Sequence, residues 1–262
     1  MKQDLQGKTA VITGSTAGVG YKIAEKFADN GVNIVINGRR PEAVRNSVER
    51  LRESFPLISI QGVATDVGTP DGVIELTSKY PHADILINNV SIYDPKDFFD
   101  ISDMEWDRYF EVNVMSAVRL IRTYLPGMLR RYWGRILTIS SEWALNIPAD
   151  MIPYGMTKAA VLSLTQGIAK RISNSGVTIN SILPGPVQPE LNSVSSGAPQ
   201  DVCLTMEETI AASEARRMHS GLAFLRVASA EEISEIAIDL CSSRGSGRNG
   251  TLVHVDGHLG RL

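Results

Sequence analysis

Short runs of β-branched and other apolar residues recur along the chain, separated by longer segments in which apolar residues return every three or four positions. The short runs are typical of buried strands, and the longer segments are typical of amphipathic helices. We predict seven strands, at Thr9–Thr13, Asn33–Asn37, Leu57–Ile60, Asp84–Asn88, Arg135–Ile139, Val177–Leu183 and Thr251–Val255. Helices are predicted near residues 19–30, 41–54, 69–80, 104–132, 154–174 and 230–242.

This alternation of strand and helix predicts a doubly wound α/β fold, with a parallel sheet covered by helices on both faces. No linker rich in glycine, proline or serine divides the chain, so we expect one domain over residues 1–262. The one long irregular stretch, at about 185–220, is expected to form a lid over a substrate, since such loops in compact domains are usually functional.

Composition excludes several classes of function. A net charge of -3 and an aromatic content of 6% argue against a nucleic-acid binder. The first residues lack the apolar core of a signal peptide, and no apolar run approaches membrane-spanning length, so we expect a cytoplasmic protein. No disulfide framework or metal site is expected from the scattered Cys203, Cys241, His82, His219, His254 and His258.

Two local patterns carry candidate chemistry. The loop from Thr13 to Gly20, Thr-Gly-Ser-Thr-Ala-Gly-Val-Gly, lies between the first predicted strand and a helix. Such a turn can bring backbone N–H groups and a helix N-terminus to a pyrophosphate, although a plain strand-to-helix turn is the alternative. Tyr154 and Lys158 lie four positions apart in a predicted helix, so they share a face, either as a solvated pair or as part of a site.

Together with other motifs, these residues resemble the short-chain dehydrogenase/reductase family over essentially the whole chain. The motifs are Thr13-Gly-x-x-x-Gly-x-Gly20, Asn88-Asn89, Asn113, Ser141, Tyr154-x-x-x-Lys158 and Pro184-Gly185. The resemblance implies a Rossmann-type fold and an NAD(P)-dependent oxidoreductase.

The resemblance also assigns roles to four residues. Tyr154 would be the general acid and base, and Lys158 would lower the phenol's pKa from its ordinary value of about 10 and hold the nicotinamide ribose. Ser141 would donate a hydrogen bond to the substrate oxygen, although Ser140 competes for this role. Asn113 would hold a water that links Lys158 to solvent; a neutral polar position in a helix is the alternative.

The cofactor expected from the resemblance is NADP(H) in preference to NAD(H). Gly38 stands where NAD-dependent members carry an acid, and Arg39 and Arg40 could bind a 2'-phosphate, unless they are only a solvated turn before Pro41. Asp66 matches the position that contacts adenine. The expected cofactor-binding residues are Gly14, Ser15, Thr16, Gly18, Val19, Gly20, Arg39, Arg40, Asp66, Val67, Asn89, Tyr154, Lys158, Pro184, Gly185 and Val187.

The chain departs from the family pattern at three places. Val90-Ser91 replaces Ala-Gly after the two asparagines, and Pro189 replaces a threonine that contacts the nicotinamide carboxamide. Asp256-Gly257-His258 replaces a C-terminal Asp-Gly-Gly. None of these changes removes a catalytic group, so they bear on cofactor geometry and rate more than on reaction class.

We therefore expect interconversion of a ketone and a secondary alcohol. The alternatives are a 3-oxoacyl-carrier-protein reductase, with Arg130-Arg131 and Lys170-Arg171 docking an acidic carrier, and a non-catalytic dinucleotide sensor. The expected substrate is a medium-sized, largely hydrophobic carbonyl compound. The resemblance also implies a homodimer or homotetramer, because the long helices resemble those that form two-fold interfaces in this family. The substrate wall is expected from Ser91, Glu142, Trp143, Leu145, Ile147, Met151 and Ile152.

Overall fold

Seven parallel strands alternate with helices in the computed structural model, which describes residues 4–187 and 227–255. The strands are β1 (Thr9–Ile12), β2 (Asn33–Gly38), β3 (Ile60–Ala64), β4 (Ile85–Asn88), β5 (Gly134–Ile139), β6 (Val177–Pro184) and β7 (Leu252–Val255). The α-helices are α1 (Gly18–Asp29), α2 (Pro41–Ser54), α3 (Pro70–Lys79), α4 (Asp103–Phe110), α5 (Ser116–Arg130), α6 (Ile152–Arg171) and α7 (Ala230–Cys241). The sheet order is β3-β2-β1-β4-β5-β6-β7, which confirms the doubly wound α/β fold.

The two faces of the sheet carry separate apolar cores. On one face, Ile12, Ile87 and Leu137 pack with α1, α2 and α7. On the other face, the adjacent positions Val11 and Leu86 pack with α3, α5 and α6, because successive side chains of a strand point to opposite faces. The central strands are therefore apolar on both sides, as expected for a parallel sheet.

The arrangement of the strands places the candidate site at one edge of the sheet. The chain builds outward from β1 to β3 and then returns to β4 on the other side of β1. In open α/β sheets, a ligand crevice forms beyond the carboxyl ends of the strands at such a reversal. The glycine loop after β1 and the residues after β4 and β5 all lie at this edge.

The third strand was predicted at the wrong residues. It spans Ile60–Ala64 and pairs with β2 from Ile34 opposite Ile60, whereas Leu57–Ile60 was expected. Leu57 is 96% exposed, because Phe55 to Ile58 form a turn in which Ile58 N–H donates to Phe55 O. The apolar run thus straddles the turn and only its last residue enters the sheet.

The helix predicted over residues 104–132 is interrupted. A π-helical turn at Glu111–Met115 separates α4 from α5, and Ser116 N–H donates to the carbonyl of Glu111, five positions earlier. This π turn holds one residue more than an α-helical turn and includes Asn113. Such turns are often found at functional sites. The remaining helices lie within a few residues of their predicted bounds.

The structure bears on the predicted lid only in part. Most of the lid predicted at about 185–220, including Pro189, lies outside the described residues, as do Cys203, His219 and Asp256-Gly257-His258. Within the described residues, the helices are too short or too polar to cross a membrane.

Candidate active site

The glycine loop turns sharply between β1 and α1. Gly14 and Gly18 have positive φ values of 59° and 57°, which residues with a side chain rarely adopt. A Cβ at Gly18 would meet no atom within 4 Å, so the loop leaves open space where α1 begins. The N-cap residue Ala17 offers no side-chain hydrogen bond to the first turn of α1. The free N–H groups and the open space fit a pyrophosphate.

Asn89 fixes this loop to the end of β4. Its amide Nδ2 donates to the carbonyls of Thr13 at 3.0 Å and Gly14 at 2.9 Å. In return, the N–H groups of Asn89 and Val90 donate to the Thr13 hydroxyl. A Cβ at Gly20 would lie 2.5 Å from Gly14 O and 2.6 Å from Asn89 Nδ2, so glycine is needed for this close approach.

Ser15 lies inside the loop but faces the sheet. It is fully buried; its hydroxyl donates to Ile12 O at 2.7 Å and accepts from Asn37 N–H at 3.1 Å. Its own N–H donates to Asn37 O. These bonds support the loop from below, and a direct contact of Ser15 with a cofactor stays a prediction.

The end of β2 has no space for an acidic side chain. A Cβ on Gly38 would lie 2.6 Å from the Thr16 γ-methyl group, and the Thr16 carbonyl is held by the Ser47 hydroxyl. Arg39 and Arg40 follow as exposed residues at the start of α2. A cation-rich turn without a carboxylate therefore lies beside the glycine loop.

Asp66, expected beside adenine, is held in place by neighbouring groups. Its carboxylate pairs with the Arg108 guanidinium at 3.0 Å and accepts from Gly68 N–H at 2.9 Å. Val67 is 1% exposed and packs in the core under this turn. Arg108 of α4 thus orients the Asp66 carboxylate, a partner that the sequence did not indicate.

The end of β6 is anchored to its neighbours. Gly185 N–H donates to Val255 O of β7, and Val187 forms an isolated bridge with Ala228. Pro184 is the last residue of β6. The backbone that starts the predicted lid therefore leaves the sheet at the same edge as the glycine loop.

The catalytic candidates converge beyond β5. Ser141 follows β5, and Tyr154 lies in the first turn of α6; the Ser141 side chain is close enough to lower the pKa of the Tyr154 phenol. The Lys158 ammonium lies 5.4 Å from the centre of the Tyr154 ring, one helical turn further along α6. The competing Ser140 instead donates to the Lys158 carbonyl, inside the protein. The geometry therefore brings Ser141, and not Ser140, to Tyr154.

Lys158 is enclosed by the protein. It is 3% exposed, and its ammonium donates to Ile139 O at 2.8 Å, which holds the side chain under the end of β5. Burial lowers the pKa of Lys158 to about 7, since the charged form is poorly solvated there. Lys158 is thus poised to gain or lose a proton near neutral pH.

The pKa of Tyr154 shifts in the direction opposite to the one expected from the sequence. Burial raises it, and the nearby Tyr93 and Glu142 raise it further, whereas the hydrogen bond from Ser141 acts against them. Because burial leaves Lys158 only partly charged near neutral pH, the lysine cannot offset these effects. The protein groups alone keep the phenol protonated.

The side chain of Asn113 ties three parts of the site together. Its Oδ1 accepts from Ile92 N–H at 2.8 Å, and its Nδ2 donates to Ile92 O and to the Thr157 hydroxyl, both at 3.0 Å. Both N–H bonds of the amide are therefore used within the protein. The predicted water contact would have to involve Oδ1 or the backbone, and it stays a prediction.

The residues expected to contact substrate divide into two groups. Ser91 and Trp143 are partly exposed, and Leu145 and Ile147 are 61% and 41% exposed. Glu142 is 6% exposed and Met151 only 1%, so the Met151 side chain packs inside the protein. The loop before α6 folds the Met151 side chain inward, and its contact with a substrate stays a prediction.

One residue of the site escaped the sequence analysis. The Tyr93 ring lies 5.8 Å from that of Tyr154, centre to centre, and is 65% exposed. It lies five residues after Asn88, in a loop without regular structure, where no periodicity indicates the direction of a side chain. Only its position shortly after the Asn88-Asn89 motif could have drawn attention to it.

A glycine-rich turn at the start of a helix, together with a serine, a tyrosine and a buried lysine beyond the ends of the strands of a doubly wound sheet, is the arrangement of a nicotinamide-dependent oxidoreductase. The sequence profile of the family described as short chain dehydrogenase matches residues 8–198. The chain belongs to this family, which confirms the resemblance drawn from its motifs.

Relatives match the chain over nearly its whole length. The uncharacterised oxidoreductase YvaG of Bacillus subtilis is 39% identical, over 100% of this chain and 99% of that protein. The 3-oxoacyl-[acyl-carrier-protein] reductase FabG of Aquifex aeolicus is 28% identical, over 99% and 100%. L-sorbose reductase of Gluconobacter frateurii, solved with NADPH and L-sorbose, is 31% identical with a TM-score of 0.85 and full coverage of both chains.

Proposed function

We propose that this enzyme uses NADP(H) to interconvert a ketone and a secondary alcohol, with Tyr154 as the acid that protonates the developing alkoxide. The observation that carries the proposal is the convergence of Ser141 and the buried Lys158 ammonium, 5.4 Å from the ring centre, on Tyr154. A bound nicotinamide would supply or accept the hydride and, when oxidised, a positive charge that favours the phenolate.

Each catalytic side chain has a distinct task. The Ser141 hydroxyl donates a hydrogen bond to the substrate oxygen, where negative charge develops. Tyr154, kept protonated by its surroundings, gives its proton to the same oxygen during reduction and takes it back during oxidation. Lys158, with a pKa of about 7, replaces the proton lost by the phenol and holds the nicotinamide ribose.

Three observations support NADP(H). Gly38 has no space for the carboxylate that would bind an adenosine 2'-hydroxyl, because the Thr16 γ-methyl group fills that position. The exposed Arg39 offers a charge-assisted contact to a 2'-phosphate. L-sorbose reductase was solved with NADPH, and a 3-oxoacyl (acyl-carrier-protein) reductase of Agrobacterium tumefaciens, 25% identical with a TM-score of 0.81, was solved with NADP.

The carrier-protein alternative is supported by FabG, but one pair of predicted docking residues, Lys170 and Arg171, lies at the other end of α6 from Tyr154. Arg171 is the last residue of the 20-residue helix α6 and Tyr154 is in its first turn. At 1.5 Å per residue, α6 separates them by about 25 Å. Arg131 is also engaged by the carbonyl of Ala83, so carrier docking at these positions is the weaker proposal.

The test compares NADPH oxidation by the parent and by Tyr154→Phe across small ketones and diketones. Tyr154→Phe should lose at least about a hundredfold in rate and retain NADPH binding, because only the transferable proton is removed. Lys158→Ala should damage both. A Tyr154→Phe variant that keeps more than about a tenth of the parent rate would refute the mechanism. If reversing the charges of Arg130 and Arg171 abolishes activity on carrier thioesters alone, the 3-oxoacyl-carrier-protein reductase is favoured instead.

A further inference from the structure

Two aromatic rings stand almost perpendicular to the ring of Tyr154. Tyr93, from the loop after β4, lies 5.8 Å away with an interplanar angle of 68°. Trp143, from the loop after β5, lies 5.9 Å away at 84°. A carbonyl group that reaches the Tyr154 hydroxyl therefore places its substituents next to aromatic surfaces.

The backbone on both sides of Tyr93 is firmly held, although its side chain is 65% exposed. Ile92 is clamped through its N–H and its carbonyl by the Asn113 amide. Asp94 O accepts from the Tyr109 hydroxyl at 3.2 Å. An exposed aromatic side chain on a fixed backbone is available as a binding surface at little further cost in ordering.

Trp143 is fixed in a similar way. The backbone N–H of Trp143 donates to the Ser141 hydroxyl oxygen at 3.2 Å. Trp143 therefore lies in the same short turn as the proposed catalytic serine. The loop that carries it lies directly on α6, since a Cβ at Gly155 would come within 2.6 Å of Ile147 and 2.8 Å of Trp143 O. The backbone at both rings is therefore tied to residues of the site, through Asn113 for Tyr93 and through Ser141 for Trp143.

The surroundings also discriminate by charge. The Glu142 carboxylate is close enough to disfavour a negative charge on Tyr154, so it disfavours an anionic substituent there too. Leu145 and Ile147 extend the exposed surface with apolar groups. This environment suits a neutral, flat substituent better than a carboxylate or a polyhydroxylated chain.

We propose that Tyr93 and Trp143 are the specificity residues of the site, and that they select neutral ketones with an aromatic or other flat unsaturated group beside the carbonyl. This inference rests on the proposed function. It names a substrate class that differs from the sugar of L-sorbose reductase and from the acyl thioesters of carrier-dependent reductases.

The experiment measures kcat/KM for acetophenone and for cyclohexyl methyl ketone, which have the same carbon number but differ in the flatness of the ring. The comparison is made in the parent, Tyr93→Leu, Trp143→Leu and the double variant, so that the intrinsic reactivity of the two ketones cancels. Two aromatic contacts correspond to about fivefold to a hundredfold in the ratio of kcat/KM for acetophenone to kcat/KM for cyclohexyl methyl ketone. We expect the ratio to fall by that factor in the double variant, and by part of it in each single variant.

Several controls separate a specificity role from a structural one. Tyr93→Phe keeps the ring and should keep the ratio, whereas Tyr132→Leu, at a tyrosine 77% exposed on the turn before β5, should change nothing. Butane-2,3-dione has no ring, so Tyr93→Leu and Trp143→Leu should lower its turnover less than that of acetophenone, and Tyr132→Leu should leave both unchanged. The anionic 4-acetylbenzoate should be a poorer substrate than acetophenone in the parent.

The outcomes are distinguishable. A ratio unchanged in the double variant, with normal turnover of butane-2,3-dione, would overturn this inference and leave the proposed function intact. A parent enzyme that oxidises NADPH with none of the ketones would overturn both. If Trp143→Leu does not fold, Tyr93→Leu decides alone, because its exposed side chain can be removed without opening the core.

Discussion

The Asn113 side chain offers the sharpest test of how the site is held together. Asn113→Ala removes three hydrogen bonds, to both backbone groups of Ile92 and to the Thr157 hydroxyl. Asn113 is 3% exposed, so water would not readily replace them. At about 0.5 to 1.5 kcal/mol per bond, the variant should lose about 1.5 to 4.5 kcal/mol of its free energy of unfolding. The loss loosens the Tyr93 loop and α6 together.

The assay combines urea unfolding with steady-state rates measured without denaturant. Asn180→Ala is the matched control: Asn180 is fully buried and also bonds backbone groups, Arg248 O and Thr251 N–H, both at 2.9 Å. It should lose about 1 to 3 kcal/mol of unfolding free energy and less than about twofold in kcat/KM. Asn113→Ala should lose more than about tenfold in kcat/KM, because misplaced reacting groups lower the rate.

Two results would refute this reasoning. A loss of less than about 0.5 kcal/mol in Asn113→Ala would mean that the three bonds are not formed or are fully replaced. Equal losses of kcat/KM in Asn113→Ala and Asn180→Ala would mean that the rate follows general stability. The clamp on Ile92 would then have no special bearing on catalysis.

Three further predictions follow from the structure. Arg39→Ala should weaken NADPH binding by roughly tenfold to a hundredfold, with little change for NADH. Gly38→Asp combined with Thr16→Ser, which removes the obstructing methyl group, should shift the cofactor preference towards NADH. Equal affinities of the parent enzyme for NADPH and NADH would contradict this prediction. The pKa of Lys158 is about 7 in the folded protein, against an ordinary value of 10.5, so the unfolded chain binds more protons between these pH values. The free energy of unfolding should therefore rise with pH across this range. Urea unfolding at about pH 7 and about pH 9 should show this rise in the parent and a smaller one in Lys158→Met. We also propose a homodimer or homotetramer through α4, α5 and α6, supported by exposed apolar side chains such as Met104 at 82%, and sedimentation at micromolar concentration should not give a monomer mass.

The sequence predicted the fold well where apolar runs are short and bounded by turn residues. Six of the seven strands lie close to their predicted positions, because a strand buried on both faces is apolar at every position. The third failed because Leu57 and Ile58 are apolar but sit in a turn before the edge strand. Local composition alone does not show where a run leaves the turn and enters the sheet.

The site was predicted to the extent that motifs fix it. The spacing from Ser141 to Tyr154 and Lys158 placed the three residues together, and in the structure they lie close to one another. Three features depend on tertiary packing and could not be predicted: the direction of the Tyr154 pKa shift, the inward-facing Met151, and the approach of Tyr93. Each depends on residues distant in sequence.

The contact at Gly155 bears on how such an enzyme can acquire new substrates during evolution. The loop carrying Trp143 lies so close to α6 that a Cβ at position 155 would fall 2.6 Å from Ile147 and 2.8 Å from the Trp143 carbonyl oxygen, so a larger residue there would have to displace the loop. The backbone path is therefore a conservative element, whereas the outer ends of Tyr93 and Trp143 can be exchanged by single mutations. If the two rings select the substrate as proposed, a lineage built on this scaffold would change its substrates by replacing them while the contact between the loop and α6 is kept.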